Sequence, residues 1–90
     1  MADVHLPPTL PPLFAGLPRR LDVEAASVAE AIERLDERWP GLRDRLCEPG
    51  PSLRPHINVF VAGRPADLST PVAPGDTVHV IPAVSGGAPR

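Results

Sequence analysis

The stretch SVAEAIERLDERW constrains the fold of this chain more than any other. Ser27 and Glu30 stand at the S-x-x-E spacing of a capping box, in which a serine oxygen and a glutamate carboxylate each satisfy an amide that the first helical turn leaves free. Val28, Ile32, Leu35 and Trp39 then recur at steps of four, three and four residues, so they share one face, while Glu30, Glu33, Arg34, Glu37 and Arg38 occupy the rest. This pattern predicts one amphipathic helix laid on a sheet. Its charged side reads as a solvated face with a Glu30–Arg34 pair at i,i+4. Pro40 and Gly41 end the periodicity, and LRDRL reads as one further turn before the breaker run EPGPS.

The segments around this helix alternate in the manner of strands. ADVHL places Val4 and Leu6 inward and His5 outward, and RRLDVEA places Leu21 and Val23 inward. Between them PPTLPPLFAGLP carries too many prolines for a regular ladder. Its PTLP matches the polyproline-ligand pattern, but the interleaved Leu10, Leu13, Phe14 and Leu17 are expected to pack down on a core instead. After the helix, HINVFVAG sends Ile57, Val59 and Val61 to one face and His56, Asn58 and Phe60 to the other. RPADL is a candidate edge strand, and APGD is a turn that launches TVHVIPAV, with Val78, Val80 and Pro82 inward and His79 and Ile81 outward. The expected order is β-β-α-β-(β)-β in an α+β chain. Its core is expected to gather Val28, Ile32, Leu35, Ile57, Val59, Val61, Val78 and Val80.

Composition excludes several functions. The chain has 90 residues, room for one domain, with a net charge of −2 and 3% aromatic residues. Neither a phosphate-tracking surface nor a stacking platform for single strands is available, so nucleic acid is not an expected partner. A single cysteine, Cys47, rules out an internal disulfide and a cysteine-based zinc site, and with no flanking His or Lys it reads as an inert thiol. His5, His56 and His79 lack helical ligand spacing and are placed outward on separate strands, so no metal site is expected. Ser27 belongs to the helix cap and Ser85 to the tail, with no triad context around either. The beginning MADVHLPP has no basic n-region or apolar h-region, and no apolar run reaches spanning length, so the expected location is the cytoplasm, away from membranes. All basic charges are arginine, with no lysine anywhere.

Taken together, the helix, WPGLRDRL, PHINVFVAG and PGDTVHVIPAVSGG resemble the ubiquitin-like sulfur carriers, the family that contains the molybdopterin synthase small subunit and the carriers of the thiamine and cysteine pathways. The resemblance implies a β-grasp fold, a mixed sheet of four to five strands gripping one main helix. It further implies a domain over residues 1–84 and a mobile diglycine tail over 85–90. In that family the terminal glycine carboxylate is the working group. A ubiquitin-activating-type adenylating enzyme consumes ATP to form an acyl adenylate, and a sulfur donor converts it to a thiocarboxylate. The carrier supplies no acid, base, metal or bound cofactor. Glycines suit such a tail because they enter a narrow channel without steric restriction.

This chain departs from the pattern in one respect. Gly87 is followed by Ala88, Pro89 and Arg90, so it has no free carboxylate as encoded. The resemblance implies removal of residues 88–90 by a zinc metalloprotease of the JAMM type; the alternative is a non-carrier relative with an inert tail. Gly87 is therefore the expected thiocarboxylate-forming residue, with Gly86 beside it in the partner's channel. Phe60, His79 and Ile81 are expected to form an apolar docking patch on the helix-free face. The implied partners are the adenylating enzyme, the protease and a sulfur-accepting biosynthetic enzyme, with WPGLRDRL and the tail leaning toward cysteine or specialised-metabolite synthesis. A molybdopterin synthase subunit, a ubiquitin-like protein modifier and a pure interaction module are the alternatives. Without lysines, chains built on this protein's own side-chain amines cannot form.

Overall fold

The helix begins where the capping pattern places it. In the computed structural model, which describes residues 1–82, α1 spans Val28–Arg38 with Ser27 as its extended N-cap. Ser27 Oγ accepts a hydrogen bond from the Glu30 amide at 3.1 Å, while Glu30 Oε1 reaches back to the Ala26 amide at 2.6 Å, one residue before the cap. The remaining first-turn amides go elsewhere. Val28 donates to the Thr70 carbonyl and Ala29 to the Leu68 carbonyl, and Val72 donates to Ala26, so a distant loop straps down the helix start. Val28, Ala31, Ile32 and Leu35 face the sheet and are buried.

The chain reverses after Trp39. Gly41, at φ 98°, starts the short α2, Leu42–Leu46, in a left-handed conformation suited to glycine. Asp36 Oδ1 accepts the amides of both Gly41 and Arg43 at 3.0 Å, so a side chain near the end of α1 caps the start of α2. The breaker run that follows is more ordered than its sequence suggests. It forms a small hairpin of β3, Cys47–Glu48, and β4, Ser52–Leu53, so Cys47 lies in a strand rather than a loop.

The main sheet contains β1 (Ala2–His5), β2 (Arg20–Val23), β5 (Ile57–Val61), β6 (Arg64–Ala66) and β7 (Thr77–Pro82) in the order β2-β1-β7-β5-β6. β1 and β7 are parallel neighbours at the centre, and the other pairings are antiparallel. Register sets the faces, because paired residues point to the same side. Leu21, Val4, Val78 and Val61 form one row under the helix, with Val80 and Val59 next to it. All eight core residues expected from periodicity are buried, and among the described residues no polar side chain is buried. Pro82, paired with Ile57, is half-buried on the same side.

Two details depart from the sequence expectation. The proline-rich segment forms a 3-10 turn over Pro11–Leu13 that aims Leu10 inward but leaves Leu13 exposed, while Leu17 is buried and Phe14 half-buried. Trp39 is only half-buried, and its indole N–H donates to the Ala15 carbonyl at 3.0 Å, tying the end of α1 to that segment. The boundary at residue 84 and the tail, with Ser85, Gly86 and Gly87, lie outside the described residues.

Removing the cap and hollowing the core should be distinguishable by magnitude. Ser27→Ala is expected to destabilise by about 1 kcal/mol, and Leu35→Ala, which empties a fully covered site, by about 2–5 kcal/mol. Urea denaturation of the two variants checks both figures.

Candidate functional site

The helix-free face is built by the same register that fills the core. His79 pairs with Phe60 on β5 and with His5 on β1; Phe60 pairs in turn with Pro65, and His5 with Arg20. One row, Arg20–His5–His79–Phe60–Pro65, therefore crosses all five strands. Ile81 lies beyond it, opposite Asn58, and is 41% exposed. The three residues expected to form an exposed patch share this face, with Phe60 and His79 half-buried and Ile81 the most open of the three. Each half-buried ring stands between cross-strand neighbours, His79 between His5 and Phe60, and Phe60 between His79 and Pro65, which limits its exposure.

Sequence reading missed the polar half of the row. His5 and His79 are not separate: their ring centroids are 4.5 Å apart with planes tilted 40°. Asp3 connects this pair to β2. Its Oδ1 and Oδ2 accept from Arg20 Nε and Nη2 at 3.0 and 2.9 Å, and Oδ2 also lies 3.1 Å from His5 Nε2. Hydrogen bonds from Arg20 and then His5 hold the Asp3 carboxyl below the usual carboxylate range. Outward parity of His5 and His79 is legible in the alternation; their adjacency required knowing that β1 and β7 are parallel partners. His56, expected on a strand, sits exposed in the turn before β5.

The helix side carries a different feature, a cleft of about 880 Å³ lined by Ile32, Glu33, Arg43, Cys47, Arg54 and Leu68 among others. Cys47 is buried there. Desolvation raises its thiol pKa despite the opposing pull of Arg43 and Arg54, so the thiol is held protonated, in keeping with an inert role. Among the described residues no group of three or more His, Cys, Asp or Glu is gathered to hold a metal ion, and no helix is long and apolar enough to cross a membrane.

A mixed sheet with its first and last strands parallel at the centre, crossed by one capped helix, is the β-grasp of ubiquitin-like proteins. The chain belongs to the ThiS family, whose model matches residues 13–87. It is 36% identical over 66 residues to small archaeal modifier protein 3 of Haloferax volcanii, covering 69% of this chain and 71% of that protein. It is 28% identical over 90 residues to the sulfur carrier protein CysO of Mycobacterium tuberculosis, covering 93% and 96% of the two chains. Among solved structures, a chain of the Amycolatopsis orientalis BexX/CysO complex superposes with a TM-score of 0.85 at 30% identity, covering 97% of this chain and 100% of that one. Small archaeal modifier protein 1 of H. volcanii superposes at 0.72 with 35% identity, covering 96% and 98%. The protein thus stands among the sulfur carriers and ubiquitin-like modifiers.

The Asp3 contacts generate a pH prediction with a definite sign. A carboxyl whose folded pKa is lowered contributes stability that is present above its ordinary range and is lost as pH falls through that range toward the folded value. Asp3→Asn should therefore flatten the acid limb of the stability profile. Denaturant midpoints at neutral and acid pH measure it, and an unchanged slope would show that the contacts are not energetically coupled to folding.

Proposed function

We propose that the chain is a sulfur carrier whose working end is Gly87, exposed by removal of residues 88–90. The observation that carries this reading is the family match itself, which runs to Gly87 and leaves Ala88, Pro89 and Arg90 beyond it. As encoded, the Gly87 carbonyl is locked in an amide, a poor electrophile. Hydrolysis of the Gly87–Ala88 bond by a metalloprotease of the JAMM type adds water across it and frees the carboxylate.

The partner adenylating enzyme then directs a carboxylate oxygen onto the α-phosphorus of ATP, expelling pyrophosphate. A hydrosulfide-equivalent donor adds to the carbonyl carbon, AMP leaves with the bonding electrons, and loss of the proton gives the thiocarboxylate. This product is a soft sulfur nucleophile suited to delivery inside an acceptor enzyme that makes cysteine or a specialised metabolite. The carrier contributes no acid, base or cofactor to these steps. Its part is to dock. The row containing Phe60 and His79, with Ile81 beside it, offers an aromatic anchor, Phe60 on β5, next to the strand that leads toward the tail. Gly86 accompanies Gly87 into the partner's channel.

A second reading, attachment to other proteins, is favoured by the 36% and 38% identities to small archaeal modifier proteins 3 and 1. The two differ in product, a thiocarboxylate on the carrier or an isopeptide adduct on a target amine.

Intact-mass spectrometry tests the first reading. Incubated with the adenylating enzyme, ATP and sulfide, the chain ending at Gly87 should show oxygen-for-sulfur exchange and the full-length chain none. Equal conversion of both would place the working end elsewhere, and isopeptide adducts without exchange would favour the modifier reading. Phe60→Ala should weaken binding to the adenylating enzyme by about 1–3 kcal/mol while the fold is retained. Titration calorimetry reads the loss, and unchanged affinity in the folded variant would move the docking face.

A further inference from the structure

His5 and His79 stand opposite each other on the two central strands, and their parallel register puts both imidazoles at the same level of the helix-free face. The rings are 4.5 Å apart between centroids, and the His5 side chain is 31% exposed, so water and ions reach it. On the other side of His5, Asp3 Oδ2 lies 3.1 Å from Nε2. An ionised carboxylate only accepts, so the proton in this contact sits on His5 Nε2, and in the neutral ring the lone pair is on Nδ1. A carboxylate on one ring nitrogen is the usual means by which a metal-binding histidine is fixed in tautomer and orientation. Arg20 holds that carboxylate through hydrogen bonds of 3.0 and 2.9 Å, which occupies both oxygens and makes Asp3 an orienting group instead of a ligand.

We propose that His5 and His79 form a two-imidazole site for a divalent transition-metal ion of the zinc, nickel or copper class. Neutral imidazole suits these ions, and hard cations such as calcium or magnesium prefer oxygen. One ion bound to both rings at about 2.0–2.1 Å requires donor nitrogens about 3–4 Å apart. With their centroids 4.5 Å apart on neighbouring strands, the two rings are close enough for the proposal that rotation about their side-chain bonds brings one nitrogen of each to that separation. Among the described residues no third ligand joins them. Water or a donor on a docked partner completes the coordination, and the ion is held reversibly. The expectation of no metal site rested on treating the histidines as separate, and the pairing of β1 with β7 removes that premise. The site stands whether or not Gly87 is activated.

The test uses the untagged full-length chain titrated with zinc chloride, then nickel chloride, followed by calorimetry and by the imidazole C–H resonances. One ion should bind per chain, with the His5 and His79 signals perturbed and the His56 signals unmoved. His5→Ala and His79→Ala should each weaken binding at least about tenfold, because a chelate then becomes a single ligand. Asp3→Asn should weaken it by about tenfold, and His56→Ala should leave it unchanged. Circular dichroism establishes that each variant is folded, and the resonance shifts of the unaltered chain decide the matter if one is not. Absence of saturable binding, affinity that survives both histidine replacements, or shifts confined to His56 would overturn the proposal.

Discussion

The parallel pairing of β1 with β7 is the contact on which the rest of the molecule depends. Asp3, Val4 and His5 lie beside Thr77, Val78 and His79, joining nearly opposite ends of the described chain at the centre of one sheet. Each strand must then find a partner on its other side, β2 for the first and β5 for the last. The pairing also assigns both faces at once. Val4 and Val78 go under the helix while His5 and His79 go to the open side, and a slip by one residue would exchange them, burying imidazoles and exposing valines. A parallel pair cannot be closed by a tight turn, so the intervening chain has to cross over, and α1 lies within that crossover.

The helix is held to this sheet by more than its apolar stripe. Two of its first-turn amides are satisfied by carbonyls of the segment just before β7, at Leu68 and Thr70, and only one by the Ser27 hydroxyl. Positioning of α1 and delivery of β7 into the sheet are therefore one arrangement. The sheet edges are guarded by ordinary means. β6 is short and contains Pro65, and its turn from β5 has positive φ at both Ala62 and Gly63, the geometry that matches strand twist in a two-residue hairpin. On β2, Arg20 and Asp22 keep the other edge charged.

For a carrier, this division of labour has a chemical meaning. On the proposed reading the reactive group is the Gly87 carboxylate freed by removal of residues 88–90, which leaves the body to supply rigidity and a recognisable face. The buried, protonated Cys47 avoids a competing thiolate nucleophile, and a lysine-free surface removes side-chain amines that an activated carboxyl would acylate. The open face carries the polar and aromatic row, so the two sides of the sheet are chemically unlike.

What short-range physics controls could be read from the residues alone. Alternation of two and recurrence near 3.6 dictated the strands, the helix, its cap at Ser27 and the inward set from Val28 to Val80, because these follow from sterics and solvation within a few residues. The family was legible from the same stretches read together with the diglycine. The tertiary structure alone decided the rest. The Cys47–Leu53 hairpin was hidden in a proline- and glycine-rich run whose strands are too short to show a period. Leu13 counted as core by composition, yet a 3-10 turn rotated it outward. Asp36 gave no sign that it would cap the second helix, since its partners lie across a chain reversal. The joining of Asp3, His5, His79 and Phe60 into one surface came from register, and register between strands some seventy residues apart is fixed by the packing of the whole core, which no local pattern encodes.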